Sequence, residues 1–354
     1  MNSASSVIFF VPGFPKDEED TECLPLLQNY IFYFSQSNPA IPMAVIAFQY
    51  PYFIGKYKWN NIAVYSAGGK NKRRVFRILT WVRAAYYFLR LRHQMNVAVI
   101  HSFWLDECTF VGQSLAKAFK IKHVATIGGQ EVKPSNRYLK YFDFARLMMT
   151  CWSQFSADDF QKVTGQKVDK IIPIGLDHQR FEAIAPAQVR KIDVLGVGSL
   201  VPIKNFKLFI EIVSELAAEF PALEVKIIGD GPQYQNLKGL IRKKFQDNIQ
   251  LLGMLSRRQV MNYMAQSKIL LHTSSHESQG YVFMEALYCG MTVVSFDVGY
   301  LGQTEKAIRC IGKEEMLANL RKLLKQQLNH DRVLLKPIEE TVDEFRALYA
   351  LYTR

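Results

Sequence analysis

The chain has 354 residues, of which 49% are hydrophobic and 21% are charged, a balance typical of a soluble globular protein with two medium-sized domains. The net charge of +12 is unevenly placed, because residues 23–105 contain no Asp or Glu while ten Lys and Arg fall within residues 56–92. Such a one-sided field favours anionic partners.

Cysteine usage and the N-terminal sequence predict a cytoplasmic protein. The five cysteines are odd in number and show no CxxC spacing, which argues against a disulfide framework and against a zinc ribbon. Residues 7–11 form a short apolar run with no basic residue before it, unlike a signal peptide. Prolines and polar residues interrupt the uncharged residues 23–55, which therefore predict helix, turn and strand and not a membrane span.

Short apolar runs alternate with helical patterns along the chain. This alternation predicts parallel sheets with right-handed crossovers, and two successive series of strands predict two doubly wound, Rossmann-like α/β domains. Ligands of such sheets bind at the carboxyl ends of the strands, so we expect the two domains to face one another across a shared cleft. The predicted strands are residues 7–11, 43–48, 62–65, 97–100, 123–127 and 147–151, followed by 192–197, 223–228, 249–252, 268–272 and 292–296.

Loops after predicted strands of the first domain are candidates for acceptor binding. Gly13 lies in a Pro-Gly-Phe-Pro turn that precedes the acidic residues 17–20. His101 ends one strand, and the remaining candidates, Gly128, Gln130 and Glu131, follow another. Two alternatives stay open, namely a purely structural role for His101 and a solvated helix N-terminus at the acidic residues.

A basic helical pattern runs from Lys72 to Arg92. Apolar residues recur at four- and three-residue steps and predict a stripe that faces the core. Arginines and further aromatic residues occupy the flanks and the opposite side, a mixture suited to an anionic membrane surface or a lipid-linked anionic acceptor. A solvated basic face is the alternative, and nucleic acid is not expected because no recognition module is present. The stripe comprises Val75, Leu79, Val82, Tyr86 and Leu89, and the other sides carry Arg73, Arg74, Arg77, Arg83, Arg90 and Arg92 with Phe76, Trp81, Tyr87 and Phe88.

Residues 273–290 are the most informative stretch of the second domain. They follow a predicted strand, and Gly280 marks the turn at which a helix begins. The N–H groups of a helix start and the helix dipole make a phosphate site, here at Gly280, Tyr281, Val282 and Phe283. Helical side chains lean toward the N-terminus, so Glu285 in the second turn should point toward the group that carries the phosphate.

The surroundings of Glu285 favour a ligand over solvent. No cation occurs three or four positions away, and the helix is apolar on nearly every side, which predicts burial. A buried carboxylate requires hydrogen-bond donors, and a ribose diol would supply two. Glu277, on the loop before the helix, should face the same crevice. A solvated surface glutamate is the alternative.

These two glutamates, eight positions apart within ESQGYVFMEAL, resemble the paired-glutamate motif of the family 4 retaining glycosyltransferases. The resemblance implies the GT-B architecture, with an acceptor-side domain at residues 1–178, a nucleotide-sugar-binding domain at 179–336 and a helix at 337–354 that packs back on the first domain. It also implies that Glu277 contacts the transferred sugar and that Glu285 contacts the ribose of the nucleotide.

Two further segments extend the resemblance. Residues 197–205 resemble the family's first strand–helix turn, in which Lys204 stands at the position of a phosphate-binding lysine and Ser199 stands where an arginine is usual. Met254 and Leu255 lie in a segment that resembles the loop holding the nucleotide base. Gly128 stands where the family commonly places a histidine beside the reacting sugar, so no catalytic histidine is assigned.

The predicted function is that of a retaining, hexosyltransferase-type glycosyltransferase in polysaccharide biosynthesis. It would move a sugar from a nucleotide-diphosphate sugar to a hydroxyl acceptor, a glycan or a lipid-linked molecule, at the inner face of a membrane as a peripheral protein. No DxD motif occurs, so we expect no metal and no cofactor beyond the nucleotide-sugar substrate. The absence of GxxxxGK[ST] argues against a P-loop NTPase. The alternatives are an epimerase or hydrolase of the same fold acting on nucleotide sugars, and a non-catalytic nucleotide-sugar-binding scaffold.

Overall fold

The computed structural model describes residues 5–72, 75–182, 184, 187, 189–243 and 248–351. The chain divides into two compact units, one made of Met1–Gly175 with Ile338–Arg354 and the other of Leu176–Pro337. The predicted boundaries after residues 178 and 336 lie three residues and one residue from the observed ones.

The first unit is built on an eight-stranded sheet. The strand order is β3-β4-β2-β1-β5-β6-β7-β8, and every neighbouring pair is parallel except β3 and β4. Its elements in chain order are β1 (Ser5–Gly13), α1 (Pro25–Ser37), β2 (Met43–Tyr50), β3 (Gly55–Trp59), β4 (Ile62–Ser66), α2 (Val75–Gln94), β5 (Asn96–Phe103), α3 (Glu107–Phe119), β6 (Lys122–Ile127), β7 (Met148–Cys151), α4 (Gln154–Thr164) and β8 (Lys170–Ile171).

The second unit is built on a six-stranded sheet in the order β11-β10-β9-β12-β13-β14, in which all neighbouring pairs are parallel. Its elements are α5 (Gln179–Glu182), β9 (Ile192–Val197), α6 (Phe206–Glu219), β10 (Val225–Ile228), α7 (Tyr234–Lys243), β11 (Ile249–Leu251), α8 (Arg257–Ala265), β12 (Ser267–His272), α9 (Tyr281–Tyr288), β13 (Thr292–Phe296), β14 (Ala307–Cys310) and α10 (Lys313–Leu324). The last helix of the chain, α11 (Ile338–Ala350), belongs to the first unit.

The fold class predicted from the sequence is confirmed, since both units are α/β units with parallel sheets. Strand β1 shows why buried strands could be predicted from apolar runs in the sequence. Phe9 packs against Tyr30 and Phe34 on one face of the sheet, and Phe10 packs against Phe48 on the other. A parallel strand covered on both faces is apolar at every position, so it appears as a continuous run.

Three strands were not predicted, namely β3, β8 and β14. Strand β3 contains two lysines and pairs only with β4, at the edge of the sheet. One face of this edge strand is exposed, so its apolar signal is diluted. Strands β8 and β14 have only two and four residues, too few to produce a period in the sequence.

Helix α11 packs on α1 within the first unit. The rings of Tyr30 and Phe345 lie 4.9 Å apart, and the hydroxyl groups of Tyr30 and Tyr349 are hydrogen-bonded at 2.8 Å. This packing places the C-terminal helix on the first unit, although the preceding 160 or so residues form the second.

Helix α2 buries a different face from the one predicted. Its buried residues are Thr80, Ala84, Phe88 and Leu91, whereas the predicted core stripe lies in solvent. The prediction of the core-facing stripe was therefore wrong for Leu79, Val82, Tyr86 and Leu89, all of which are exposed. Arg73, Arg74 and the side chain of Val75 lie outside the described residues.

Specific contacts explain the orientation of α2. Trp81 donates its Nε1–H to Glu107 at 2.7 Å, and Arg77 lies 3.6 Å from the same carboxylate. Phe88 packs between the rings of Phe10 and Phe119. Because the helix carries apolar residues on nearly every side, periodicity could not choose between its faces. No helix in the described part of the chain is long and apolar enough to cross a membrane.

Candidate functional site

The carboxyl ends of the parallel strands of the second unit meet at one edge of its sheet, where the loops after β9 and β12 are joined by hydrogen bonds. Thr273 donates its hydroxyl toward the carbonyls of Lys204, at 3.1 Å, and Asn205, at 3.0 Å. Ser275 donates its N–H to the carbonyl of Ile203 at 3.1 Å. The Thr-Ser-Ser sequence after β12 thus holds the lysine-bearing loop beside the loop that carries Glu277.

Lys204, His272 and Glu277 form one cluster at this edge. Lys204 is ion-paired with Glu277, and His272 Nε2 lies 2.8 Å from the same carboxylate oxygen. A carboxylate only accepts, so His272 donates from Nε2. Two residues predicted separately, one for the diphosphate and one for the sugar, are therefore in direct contact.

The electrostatics of the cluster keep Glu277 charged at neutral pH. Burial raises the pKa of Glu277, but the hydrogen bond from His272 and the charge of Lys204 outweigh it and lower the pKa to about 2. Burial also lowers the pKa of His272, although its bond to Glu277 opposes that change. At neutral pH the cluster therefore combines a cation, an anion and a neutral imidazole.

The prediction from sequence did not include His272. It was treated as the last residue of a buried strand, which it is, and it is almost completely buried. Its imidazole also packs edge-on against the ring of Phe283, with centroids 4.8 Å apart. The sequence did contain a signal for this residue, namely a histidine at the carboxyl end of a strand and five residues before a glutamate.

Helix α9 begins where predicted, at Gly280. This glycine has φ +67°, and a Cβ there would lie 2.3 Å from the ring of Phe283, so both the backbone and the space require glycine. The N–H of Phe283 donates to the Gly280 carbonyl at 2.9 Å. Phe283 was predicted to offer this N–H to phosphate; that role is wrong, because the first turn of the helix uses the group internally. Tyr281 and Val282 are half-buried at the helix start.

Glu285 is paired with a cation that sequence reasoning missed. Arg257 Nη2, from the first turn of α8, lies 2.5 Å from Glu285 Oε1, and the guanidinium also lies over the ring of Tyr281 at 5.8 Å. Burial raises the pKa of Glu285, and the charge of Arg257 opposes that rise. The expectation of a buried carboxylate without a cationic neighbour was wrong, since it considered only residues on the same helix.

The remaining donor-side predictions lie on neighbouring loops of the same edge. Ser199 is exposed in the loop after β9. A Cβ at Gly229 would lie 1.9 Å from the Gly198 carbonyl oxygen, so this glycine permits two backbone segments to touch. Met254 is exposed and Leu255 half-buried after β11, the strand at the end of the sheet.

His101 of the first unit is a structural residue. It is completely buried, its Nδ1 lies 2.5 Å from the Tyr349 hydroxyl and its Nε2 lies 2.7 Å from the Thr126 hydroxyl. Burial lowers the pKa of His101 well below its usual range. The prediction of an acceptor contact is therefore wrong for His101, because both ring nitrogens are already satisfied within the fold.

The loop after β6 is closed by its own side chains. Glu131 Oε1 accepts from the Gly128 N–H at 2.6 Å, and Gln130 accepts from Lys133 at 2.9 Å. A Cβ at Gly128 would lie 2.6 Å from the Trp104 ring, so this position cannot hold a histidine without moving the indole. Burial raises the pKa of Glu131. Gly13, at the end of β1, is buried opposite Tyr50.

Comparison with known proteins gives the second unit a family resemblance over nearly its whole length. Residues 177–332 match the family model for glycosyl transferases group 1. The matched range contains Lys204, His272, Glu277 and Glu285. The edge of the sheet that gathers these charged side chains therefore lies within the residues that are similar to this family.

Curated relatives match parts of the chain. The gpi3 component of phosphatidylinositol N-acetylglucosaminyltransferase from Schizosaccharomyces pombe is 31% identical over 141 residues, which cover 39% of this chain and 30% of that protein. A human component of phosphatidylinositol N-acetylglucosaminyltransferase is 27% identical over 232 residues, which cover 60% and 46%. The chain thus spans less than half the length of these curated relatives.

Solved structures share the fold. Sucrose-phosphate synthase from Thermosynechococcus elongatus aligns over 98% of both chains with a TM-score of 0.75 and 14% identity. Likeness at this identity shows the fold alone, and the fold is that of the GT-B glycosyltransferases.

Proposed function

We propose that this protein is a glycosyltransferase that moves a sugar from a nucleotide-diphosphate sugar to a hydroxyl acceptor with retention of configuration, as in family 4. The observation that carries the proposal is the Lys204–Glu277–His272 cluster at the start of α9. A cation, a carboxylate and a helix N-terminus at one sheet edge suit a ligand that combines a diphosphate with sugar hydroxyls.

In this proposal, when the donor binds, Lys204 either leaves Glu277 for a phosphate oxygen or contacts both groups. Its ammonium group has three donors, so it can contact a phosphate oxygen while it stays near Glu277. His272 continues to donate to Glu277 and keeps the carboxylate in place. The charged Glu277 then accepts from hydroxyl groups of the sugar.

Glu285 and Arg257 form the second half of the proposed donor site. A carboxylate accepts at both oxygens, so Glu285 can accept from a ribose diol while Arg257 holds Oε1. Arg257 then orients the carboxylate and supplies a positive charge close to the nucleotide. Met254 and Leu255 are proposed to contact the base.

The chemistry requires stabilisation of a departing diphosphate and of an oxocarbenium-like sugar. Fixed charges and N–H groups aimed at the leaving group provide this stabilisation without reorganisation during the reaction. The positive charge of Lys204 and the N-terminus of α9 are proposed to serve in place of a metal ion, which makes transfer metal-independent.

We place lipid-linked molecules first among the acceptors. The names of the two curated relatives contain both N-acetylglucosaminyltransferase and phosphatidylinositol, and phosphatidylinositol is a lipid. Gly13, Gln130 and Glu131 remain proposed acceptor-side residues, although Glu131 already binds its own loop.

The test incubates the protein with a panel of nucleotide-diphosphate sugars and with glycan and lipid acceptors, and identifies products by mass spectrometry and the anomeric configuration by NMR. The expected product is an α-linked glycoside from an α-linked donor. Donor consumption without transfer would favour an epimerase or hydrolase, and donor binding without turnover on the whole panel would favour a non-catalytic binding protein. Either result contradicts the proposal.

A further inference from the structure

Helix α2 exposes an apolar surface on the side opposite its buried face. Five side chains, Ile78, Leu79, Val82, Tyr86 and Leu89, are between 39% and 59% exposed. At 100° per residue they span one continuous arc of the helix, with the buried Ala84 and Phe88 on the other side. A helix that is apolar on both faces in this way is expected to bury both, and the sheet covers only one of them.

A second apolar group lies beside the helix. Tyr52, Phe53 and Ile54, in the loop between β2 and β3, are between 45% and 54% exposed. A Cβ at Gly68 would lie 2.8 Å from Ile54, and Arg83 of α2 donates to the neighbouring Ala67 carbonyl at 3.2 Å. The loop and the helix thus meet at the turn after β4. We call the eight exposed apolar side chains, five on α2 and three in the loop, the α2 surface.

The charge around the α2 surface identifies its occupant. Arg90 and Arg92 are exposed on the last turns of the helix, and Lys70 and Lys72 are exposed on the segment before it. Residues 23–105 contain no carboxylate side chain. An acidic side chain does approach from the loop side, where Asp20 accepts from the Tyr50 hydroxyl at 2.6 Å. On the helix, a second copy of the chain would bring the same excess of positive charge to the contact and be repelled. An anionic, partly apolar surface is complementary.

We propose that the α2 surface docks on an anionic lipid surface, with the helix lying in the plane of the interface. Apolar side chains of such helices enter the boundary between headgroups and acyl chains to about 5–10 Å, while flanking basic residues contact the headgroups. Tyr86 and Tyr52 suit this boundary because each joins an apolar ring to a polar hydroxyl. This proposal differs from the basic helix predicted from sequence, because the residues predicted to face the core are the ones that insert.

The test is co-sedimentation of the whole protein with vesicles of phosphatidylcholine alone and of phosphatidylcholine mixed with phosphatidylserine, over a series of salt concentrations. The expected result is binding to the mixed vesicles that weakens as salt rises. Val82→Asp and Tyr86→Asp should each lower the vesicle affinity at least about tenfold, because a charge would enter the apolar layer. Arg90→Gln should lower it about fivefold, the equivalent of one basic contact.

Matched control variants lie in the second unit. Ile311 is 96% exposed, so Ile311→Asp introduces the same charge at another apolar surface position and should leave vesicle binding unchanged. Arg242→Gln, on α7, controls for the loss of one positive charge. Because no donor sugar is present, failure of this experiment leaves the proposed transfer reaction untouched.

Three results would overturn the proposal. They are equal binding to neutral vesicles, unchanged binding of the Val82→Asp and Tyr86→Asp variants, and a dimer in analytical ultracentrifugation that Val82→Asp dissociates. Circular dichroism of each variant confirms that the fold is retained.

Discussion

Helices α2 and α9 both carry apolar side chains on opposite faces, yet they are used in different ways. Helix α9 lies within the second unit, and its single carboxylate, Glu285, is buried and paired with Arg257. Helix α2 covers the sheet of the first unit with one face and presents the opposite apolar face to solvent. Apolar residues on two opposite faces of a helix therefore do not reveal what covers each face. Helix α9 completes a core and holds the charged Glu285 in it. Helix α2 completes a core with one face and leaves its other apolar face available to a partner.

The largest expected difference between these helices is in folding stability. Leu287 of α9 is completely buried, so Leu287→Asp should cost several kcal/mol of unfolding free energy or abolish folding, since a carboxylate would be buried without a partner. Val82→Asp on α2 should change it by less than about 0.5 kcal/mol. Urea unfolding followed by circular dichroism measures both. Similar losses for the two variants would mean that the α2 face is covered within the folded chain.

Catalysis should depend on the α9 edge and not on α2. Lys204→Ala should lower turnover by about 10²–10³-fold, the usual effect of removing one group that stabilises the leaving charge. Lys207→Ala, on the exposed start of α6, is the control and should keep normal turnover. Steady-state kinetics on a soluble acceptor provide the comparison. Wild-type turnover in Lys204→Ala would show that this lysine pairs with Glu277 but does not stabilise the leaving group.

Much of the fold followed from patterns that a single segment contains. Buried parallel strands such as β1 are short apolar runs, and Gly280 marks a helix start because no other residue fits there. Contacts between site residues that are distant in sequence were not predicted. Arg257 and Glu285 are 28 residues apart, and Lys204 and Glu277 are 73 apart. The face that α2 buries also depends on Glu107 and Phe119, which no periodicity in residues 72–92 could reveal.

The two glutamates of the site should separate binding from turnover. Glu285→Gln should weaken binding of a nucleoside diphosphate about tenfold, because an amide has one acceptor oxygen where a carboxylate has two. Glu277→Gln should lower kcat and leave nucleoside diphosphate affinity nearly unchanged, because the sugar alone is expected to contact it. Calorimetric titration and kinetics on each variant test the split, with Glu211→Gln as a control. The assignment is contradicted if both variants behave like the wild type.

Stability should fall in acid through Glu277. The pKa of this carboxylate is about 2 in the folded protein against an ordinary value of 4.5, so its contribution is present above pH 4.5 and is lost as pH falls toward 2. The difference corresponds to on the order of 3 kcal/mol. Unfolding free energies of wild type and Glu277→Gln should therefore converge between about pH 5 and 2. A constant gap over this interval would show that the cluster does not depress the pKa of Glu277.

The smallest expected effect is that of chelation. With a lysine and a helix N-terminus in place of a DxD motif, EDTA should change nucleoside diphosphate affinity less than about tenfold, or less than about 1.4 kcal/mol. Readdition of magnesium after dialysis serves as the control. A greater loss that magnesium restores would contradict metal-independent donor binding.

The central claim is that the edge of the second sheet binds a nucleotide diphosphate through Lys204. Its most direct test is calorimetric titration of wild type and Lys204→Ala with a set of nucleosides and the matching nucleoside diphosphates. We predict that at least one diphosphate binds the wild type much more tightly than its nucleoside, and that Lys204→Ala removes most of this difference while affinity for the nucleoside stays the same. Equal affinities of wild type and Lys204→Ala for every diphosphate, or no binding of any of them, would contradict the account.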